Sequence, residues 1–416
     1  MTARKMKDSG VEWIGEIPEE WGTTRFKFLH DGLNTGEAVD KEYWSSDAND
    51  LVFYTAGLEP IRTSYQDFPE WKFTRKNDLL LARNGTPYVY FPVCGACYTD
   101  HIIRAAMKAD INRRYVQYSL QQSISSVVVD SVSLATWSAS LWNEQIIAWP
   151  NAAEQRRIAD YLDRKCAEID RVVAETEKTI EEYKVLKQSI ITEAVTKGVR
   201  GKRKMKDSGI EWIGEIPEEW KVVKIKTLFD YRNERNFKPL EDVNLISLYT
   251  DKGVVQHCDL EETTGNKASN ADGYKIVHQN DIVVNIILCW MGAIGKSEFS
   301  GVTSPAYDVY APKKNTNSDF YHYYFRTSGF SGDCFKYGRG IMAMRWRTYS
   351  DEFRAINVVC PSSSEQREIA DYLDAKCAEI DRLVAAKQTL LAELATYKKS
   401  LIYEYVTGKK EVPECQ

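Results

Sequence analysis

One sixteen-residue stretch, Met6-Lys-Asp-Ser-Gly-Val-Glu-Trp-Ile-Gly-Glu-Ile-Pro-Glu-Glu-Trp21, returns at Met205 to Trp220 with a single change, Val11 to Ile210. A second block, Glu154 to Arg171, returns at Glu365 to Arg382 with only Arg157/Glu368 and Arg164/Ala375 different. A chain that carries both blocks twice must fold as two similar halves, so the repeat is read before anything else. Residues 22–150 and 221–361 lie between the blocks, share little sequence and differ in length. Two constant blocks therefore bracket a variable region, twice. The expected segments are a constant opening, 1–21, a first variable domain, 22–150, and a first helix, 151–198. A basic linker with the repeated opening follows at 199–220, then a second variable domain, 221–361, a second helix, 362–408, and a tail, 409–416.

The second constant block opens a long helix. Apolar or small residues fall at Ile158, Leu162, Cys166, Ile169, Val173, Thr176, Ile180, Tyr183, Leu186, Ile190 and Ala194, in steps of three and four. The second copy carries Ile369, Leu373, Cys377, Ile380, Val384, Lys387, Leu391, Leu394, Tyr397, Leu401 and Tyr405 in the same slots. Such spacing marks a coiled-coil seam. Ile158, Leu162, Ile169, Leu373 and Ile380 are the expected packing residues, and the helix's own copy is the expected partner. Asn151 with Glu154, and Ser362 with Glu365, read as capping boxes, while Gly198 and Gly408 read as C-terminal stops. At 1.5 Å per residue each helix makes a rod of roughly 65 Å.

In the variable regions short β-rich runs (Leu51–Tyr54, Asp78–Ala82, Tyr88–Phe91, Asp281–Asn285, Tyr307–Tyr310) alternate with turn signals. Tyr115 onward and Phe320 onward read as short amphipathic helices. The expected fold class is α/β (α+β), with pseudo-two-fold symmetry.

The formal net charge of −5 argues against a nucleic-acid partner only if charge is spread evenly. It is not. Between Arg75 and Arg114 seven basic residues face three acidic ones, and between Lys313 and Arg354 eight face four. The N-terminus lacks the apolar core of a signal peptide and no apolar run is long enough for a bilayer, so a cytoplasmic protein with nine free thiols is expected. Cys94 and Cys97, with His101 nearby, form the one metal-like cluster. They lack a second cysteine pair, so no metal is expected.

Catalytic motifs fail on inspection. Gly292-Ala-Ile-Gly295-Lys296-Ser297 resembles the end of a phosphate-binding loop, but the position needing the first glycine is Trp290. Ser304-Pro305-Ala306-Tyr307 resembles part of a methyltransferase base pocket without any accompanying glycine-rich donor loop. No histidine has metalloprotease spacing and no nucleophile elbow is present.

The doubled blocks, together with Asn280-Asp-Ile-Val-Val-Asn285 and Gly292–Tyr307, resemble the specificity subunits of Type I restriction–modification enzymes. Asn77-Asp-Leu-Leu-Leu-Ala-Arg-Asn-Gly85 is a looser first-half version, and the first half has no Ser-Pro-Ala-Tyr segment. The resemblance implies two target-recognition domains separated by an antiparallel coiled coil of the two conserved helices, each domain reading one half of a split, asymmetric double-stranded DNA site. It implies two methyltransferase subunits and restriction motor–nuclease subunits as partners, and no membrane. It places S-adenosylmethionine, ATP and Mg in those partners, so this chain is expected to hold no cofactor and perform no catalysis. The basic windows then nominate DNA contacts: Arg83, Asn84, Arg104, Arg113 and Arg114 in the first domain, and Lys296, Arg326, Arg339, Arg345 and Arg347 in the second. Two other readings fit parts of the sequence. A methyltransferase or nuclease with fused recognition domains requires the missing cofactor loop, and a coiled-coil scaffold leaves the basic windows unexplained.

Overall fold

The computed structural model describes residues 4–84, 87–127, 136–250, 252–257, 270–340 and 346–413. The chain divides into two compact units. Unit 1 holds the residues up to Thr176 and those from Gln388 onward, and unit 2 holds Glu177–Lys387. Each unit thus takes part of both long helices.

The units repeat one frame. In unit 1 a wholly antiparallel sheet runs in the order His30–Thr35, Ile102–Met107, Asp78–Ala82, Val89–Tyr90. In unit 2 the order is Phe229–Arg232, Tyr307–Pro312, Ile282–Asn285, Ile294–Lys296. A short helix crosses each sheet, Arg113–Val127 and Ser318–Phe325 respectively. The chain enters each unit through an opening strand paired with the last one: Gly22–Arg25 with Ile146–Trp149, and Lys221–Lys224 with Asn357–Cys360. Antiparallel sheets with segregated helices make the fold α+β.

The shared frame reaches individual bonds in regions whose sequences differ. Asp78 accepts the backbone N–H of Arg75 at 2.7 Å, and Asp281 accepts that of His278 at 2.8 Å. The Tyr115 hydroxyl donates to the Ala148 carbonyl at 2.8 Å, and that of Tyr321 to Val359 at 3.0 Å. Strands Asp78–Ala82 and Ile282–Asn285 are buried at every residue, which is why their sequences read as unbroken apolar runs rather than alternating ones.

The units differ in the segment inserted after the first sheet strand. In unit 1 it adds a second sheet, Cys97–Tyr98, Leu51–Tyr54, Ile61–Thr63, Trp44–Ser45, with one parallel pair. In unit 2 it forms the hairpin Ile246–Tyr249/Gly253–Gln256 and the pair Lys275–Val277/Gly301–Thr303. Unit 2 also has a helix the sequence hides, Ser328–Tyr337, capped by the Thr327 side chain. Its glycines and serines mask the helical period. Gly329 belongs there because a Cβ would lie 2.2 Å from the Trp212 ring.

The long helices are Ala152–Lys197 and Ser363–Val406. Within unit 1 they run antiparallel: Tyr161 packs on Tyr405, and Asp170 accepts from Lys398 at 2.6 Å. Ile158, Leu162, Cys166 and Ile169 share a core with Leu401, Tyr405 and Val406. In unit 2 Ile191, Ala194 and Val195 share a core with Ile369, Leu373 and Cys377, and Lys187 pairs with Asp381 at 2.6 Å. The seam departs from the expected one at equivalent places. Leu186 and Tyr397 are exposed, while Lys187 and Lys398 turn inward to the aspartates.

The helix starts also differ from a capping box. Asn151 accepts the Glu154 N–H at 3.0 Å and Ser362 that of Glu365 at 3.3 Å, as expected. The glutamate carboxylates do not reach back. Glu154 accepts from Trp21 Nε1 at 2.8 Å and Arg4 at 2.8 Å. Glu365, with a side chain only 2% exposed, forms an ion pair with Arg203 at 2.7 Å. Arg4 and Arg203 each lie 5.4 Å from the ring centroid of Trp21 or Trp220. The constant opening is thereby clasped to the start of its helix in both units. Gly198 and Gly408, with φ of 76° and 73°, stop the helices in the left-handed region.

Candidate nucleic-acid interface

Strand register decides which loops share an end of each sheet. In unit 2 Asn285 lies opposite Tyr307 and Arg232 opposite Val309. The loops after Arg232 and after Asn285, and the turn before Tyr307, therefore leave the same end. In unit 1 Ala82 lies opposite Ile102 and Thr35 opposite Ile103, so the segments after Thr35 and after Ala82 leave the corresponding end. A fourth segment joins each set. Trp137 N–H donates to the Arg83 carbonyl at 2.6 Å, and Thr348 N–H to the Ile286 carbonyl at 2.9 Å.

The nominated residues separate sharply against this geometry. Arg83 is exposed at this end of unit 1, and its side chain has no hydrogen bond or ion pair among the described residues. Asn84 beside it is held by His101 Nδ1 at 2.6 Å. Arg104 is withdrawn from the candidate surface: its side chain is 7% exposed and donates to the Trp71 and Phe73 carbonyls at 2.7 and 3.2 Å, with Asp78 3.6 Å away. An inward strand position in an antiparallel sheet buries whatever side chain occupies it, and this one survives through carbonyl partners. Burial pushes the Asp78 carboxyl up; its bond to the Arg75 N–H and the Arg104 charge oppose this.

Arg113 and Arg114 act as internal fasteners. Arg113 lies 3.9 Å from the Phe91 ring centroid and donates to the Asp78 carbonyl at 3.0 Å. Arg114 pairs with Asp163 of the long helix, bonds Gln117 at 2.7 Å and lies 5.2 Å from the Tyr118 centroid. Both fix the crossing helix to its neighbours.

In unit 2 Lys296 is likewise internal: its side chain is 10% exposed and held between Asp319 and Glu298. Arg326 donates to the Ile294 and Thr250 carbonyls at 3.1 and 3.0 Å. Arg339 and Arg347 exchange backbone hydrogen bonds of 2.8 and 3.0 Å, closing the base of one loop. The Arg339 side chain is 70% exposed, lies 5.1 Å from the Tyr349 centroid and meets Glu352 at 3.1 Å. Arg347 donates to the Trp346 carbonyl at 2.9 Å. Arg345 lies outside the described residues.

Charge counting misses the aromatic half of this loop. Trp346 stacks on Phe335 with centroids 4.7 Å apart at 17°, and Trp290 meets the same ring at 5.7 Å. Phe335 and Tyr349 remain exposed. The alternation Arg345-Trp346-Arg347 was the available signal. Guanidinium groups supply forked donors for phosphate or guanine edges, and aromatic faces supply stacking surfaces for bases.

The cysteine cluster shows no such convergence. Cys97 is buried in its strand, which pushes its thiol up to about 12, whereas Cys94 is exposed and His101 faces Asn84. Among the described residues no group of three or more His, Cys, Asp or Glu is placed to hold a metal, and no helix is long and apolar enough to cross a membrane.

Residues 217–394 match the family model for the Type I restriction modification DNA specificity domain. Unit 1 repeats the frame and the constant blocks of that region. That region of the chain thus matches a Type I restriction modification DNA specificity domain. The putative type I restriction enzyme MjaX specificity subunit of Methanocaldococcus jannaschii is 26% identical over 438 residues, covering 96% of each chain. The MjaVIII specificity subunit from the same organism is 35% identical over 92 residues, 22% of this chain and 20% of that one. Among solved structures, a chain from work on complex assembly and conformational transition of the type I R-M system matches with a TM-score of 0.67. That match covers 95% of this chain and 99% of the other at 12% identity. The HsdS subunit from Thermoanaerobacter tengcongensis matches with a TM-score of 0.51 at 14% identity, covering 95% and 98%. At these identities the structural likeness shows the fold alone.

Proposed function

We propose that this chain is a specificity subunit of a Type I restriction–modification complex that binds a split, asymmetric DNA target, each unit reading one half, and that it scaffolds the catalytic subunits without catalysing a reaction itself. The carrying observation is one hydrogen-bonded frame built twice, with different loops leaving the same end of each central sheet. Equal frames suit two half-sites, and unequal loops suit two different sequences. Arg83 in unit 1, and Arg339, Trp346 and Arg347 in unit 2, are the groups best placed to meet DNA. Arginine on phosphate sets position, while arginine on guanine and aromatic faces on bases set sequence. The expected partners are two methyltransferase subunits and, for restriction, motor–nuclease subunits. S-adenosylmethionine, ATP and Mg bind in those partners, and the complex works in the cytoplasm.

The test is a replacement of residues 22–150 by another family member's variable region, with both constant blocks retained. Methylated adenines are then mapped by single-molecule sequencing in cells that also carry the partner methyltransferase. One half of the methylated motif should change and the other half persist. A change in both halves together refutes the division of labour between the units.

A further inference from the structure

The side chain of Phe237 is 82% exposed, more than any other large hydrophobic side chain among the described residues. It sits in the segment that leaves the DNA-proposed end of the unit 2 sheet after Phe229–Arg232. An apolar ring in water is ordinarily found on a slack loop. This one is held rigidly from below.

The residue before it, Asn236, is 4% exposed and uses its whole side chain to shape the turn. Its Nδ2 donates to the Lys238 and Ala271 carbonyls at 2.9 and 2.8 Å, and its Oδ1 accepts the Lys238 N–H at 3.1 Å. Its backbone exchanges bonds of 2.8 Å with Tyr274 and Gly273. Arg235, on the same side of the ring, donates to the Gly273 carbonyl at 3.0 Å. The backbone on both sides of the ring is thereby tied down, Lys238 through Asn236 and Asn236 through Gly273 and Tyr274.

The surroundings suit a polyanion. Lys238 is exposed, with no ion pair among the described residues. On the strand side of the ring Glu234 is already engaged by Arg232 at 2.5 Å and His278 at 3.1 Å, while Glu241 and Asp242 stand exposed in the turn Leu240–Asp242 beyond Lys238. Rigid apolar side chains flanked by cations are how proteins part stacked base pairs: the ring enters a base step while the cations hold the phosphates. The corresponding segment of unit 1 opens Gly36-Glu37-Ala38-Val39 with its Glu37 paired with Lys72, and its exposed aromatics come later and are engaged, Tyr43 by Tyr65 at 5.5 Å and Trp44 by Lys41 at 5.5 Å.

We propose that Phe237 is a wedge that enters a base step in the half-site read by unit 2, so that this half-site alone is deformed on binding. The inference rests on the DNA-reading function proposed above. It adds a component of specificity from the ease of unstacking a step, beyond hydrogen bonds to base edges.

The test uses the full chain and duplexes carrying the motif defined by methylation mapping, with 2-aminopurine replacing successive bases of the unit 2 half-site. Wild-type binding should raise the emission at one step. Phe237→Ala should abolish that rise and weaken target binding about 10- to 100-fold, while Phe237→Leu should retain part of both. Thermal melting checks that the variants remain folded. If Phe237→Ala binds the target with unchanged affinity and emission, the wedge is refuted while DNA reading stands. Loss of methyltransferase co-purification with DNA binding intact also overturns it, assigning the ring to a protein surface. If the wild-type chain prefers its motif no more than a scrambled duplex, the DNA-reading function itself falls.

Discussion

Replacing His322 by glutamine should flatten the acid limb of this protein's stability profile. His322 stands on the helix Ser318–Phe325, packed over Gly295, and its Nδ1 accepts the Lys296 N–H at 3.2 Å. That bond requires the neutral ring. Burial lowers the imidazole to about 4, helped by the positive charges of Arg326 and Lys296 and opposed by Asp319. An unfolded histidine titrates near 6.5. Between these values the unfolded chain takes up a proton that the fold refuses. The stabilisation is therefore complete above about pH 6.5 and is lost progressively as pH falls toward 4. At pH 5 the loss amounts to about 2 kcal/mol for a fully enclosed ring. The residue is not fully enclosed, which reduces the figure to about 1–2 kcal/mol. The assay is urea denaturation followed by tryptophan fluorescence at pH 8 and pH 5, for the wild type and His322→Gln. Glutamine can accept the same Lys296 bond and does not titrate. The variant should lose about 1–2 kcal/mol less than the wild type between the two pH values. Parallel losses would refute the reasoning.

Leu162→Ala and Leu373→Ala, at positions with no exposed surface, should each cost about 2–5 kcal/mol, whereas Leu186→Ala, at 47% exposure, should stay within about 0.5 kcal/mol in the same titration. Arg104→Ala should lower the melting temperature, while Arg339→Ala should leave melting unchanged and flatten the salt dependence of DNA binding measured by fluorescence anisotropy. Glu365→Gln should destabilise by about 2–4 kcal/mol in urea titration, because Arg203 loses its buried partner and keeps the half-exposed Glu219 and the Lys197 carbonyl.

The frame was legible because repetition is visible without any structural knowledge. Near-identical blocks at Met6 and Met205 implied two like units, and steps of three and four implied paired helices. What periodicity cannot show is which of two adjacent residues turns inward. Leu186 and Tyr397 look apolar enough for the seam, yet Lys187 and Lys398 take it because aspartates wait opposite. The site was legible only as a region. Arg83 and Arg104 carry the same side chain in one basic window, and strand register alone puts the first in water and the second beneath carbonyls. Phe237 escaped notice because an isolated phenylalanine in a polar loop carries no pattern; its meaning comes from the buried Asn236 that props it outward.

The clasp on the first glutamate of each long helix, by Arg4 and Trp21 in one unit and by Arg203 in the other, limits where foreign sequence can be joined to this chain. Glu154 meets Trp21 and Arg4 across the entire first variable region, and Glu365 meets Arg203 across the second. A graft that replaces Arg4 along with Trp21 leaves the largely buried Glu154 carboxylate without its counter-charge and its indole donor. A graft spliced after Trp21 and before Asn151 inherits the finished joint. The freedom of the middle thus depends on the strictness of its borders. Natural shuffling and laboratory transplants should leave scars outside that clasp only in chains that no longer fold.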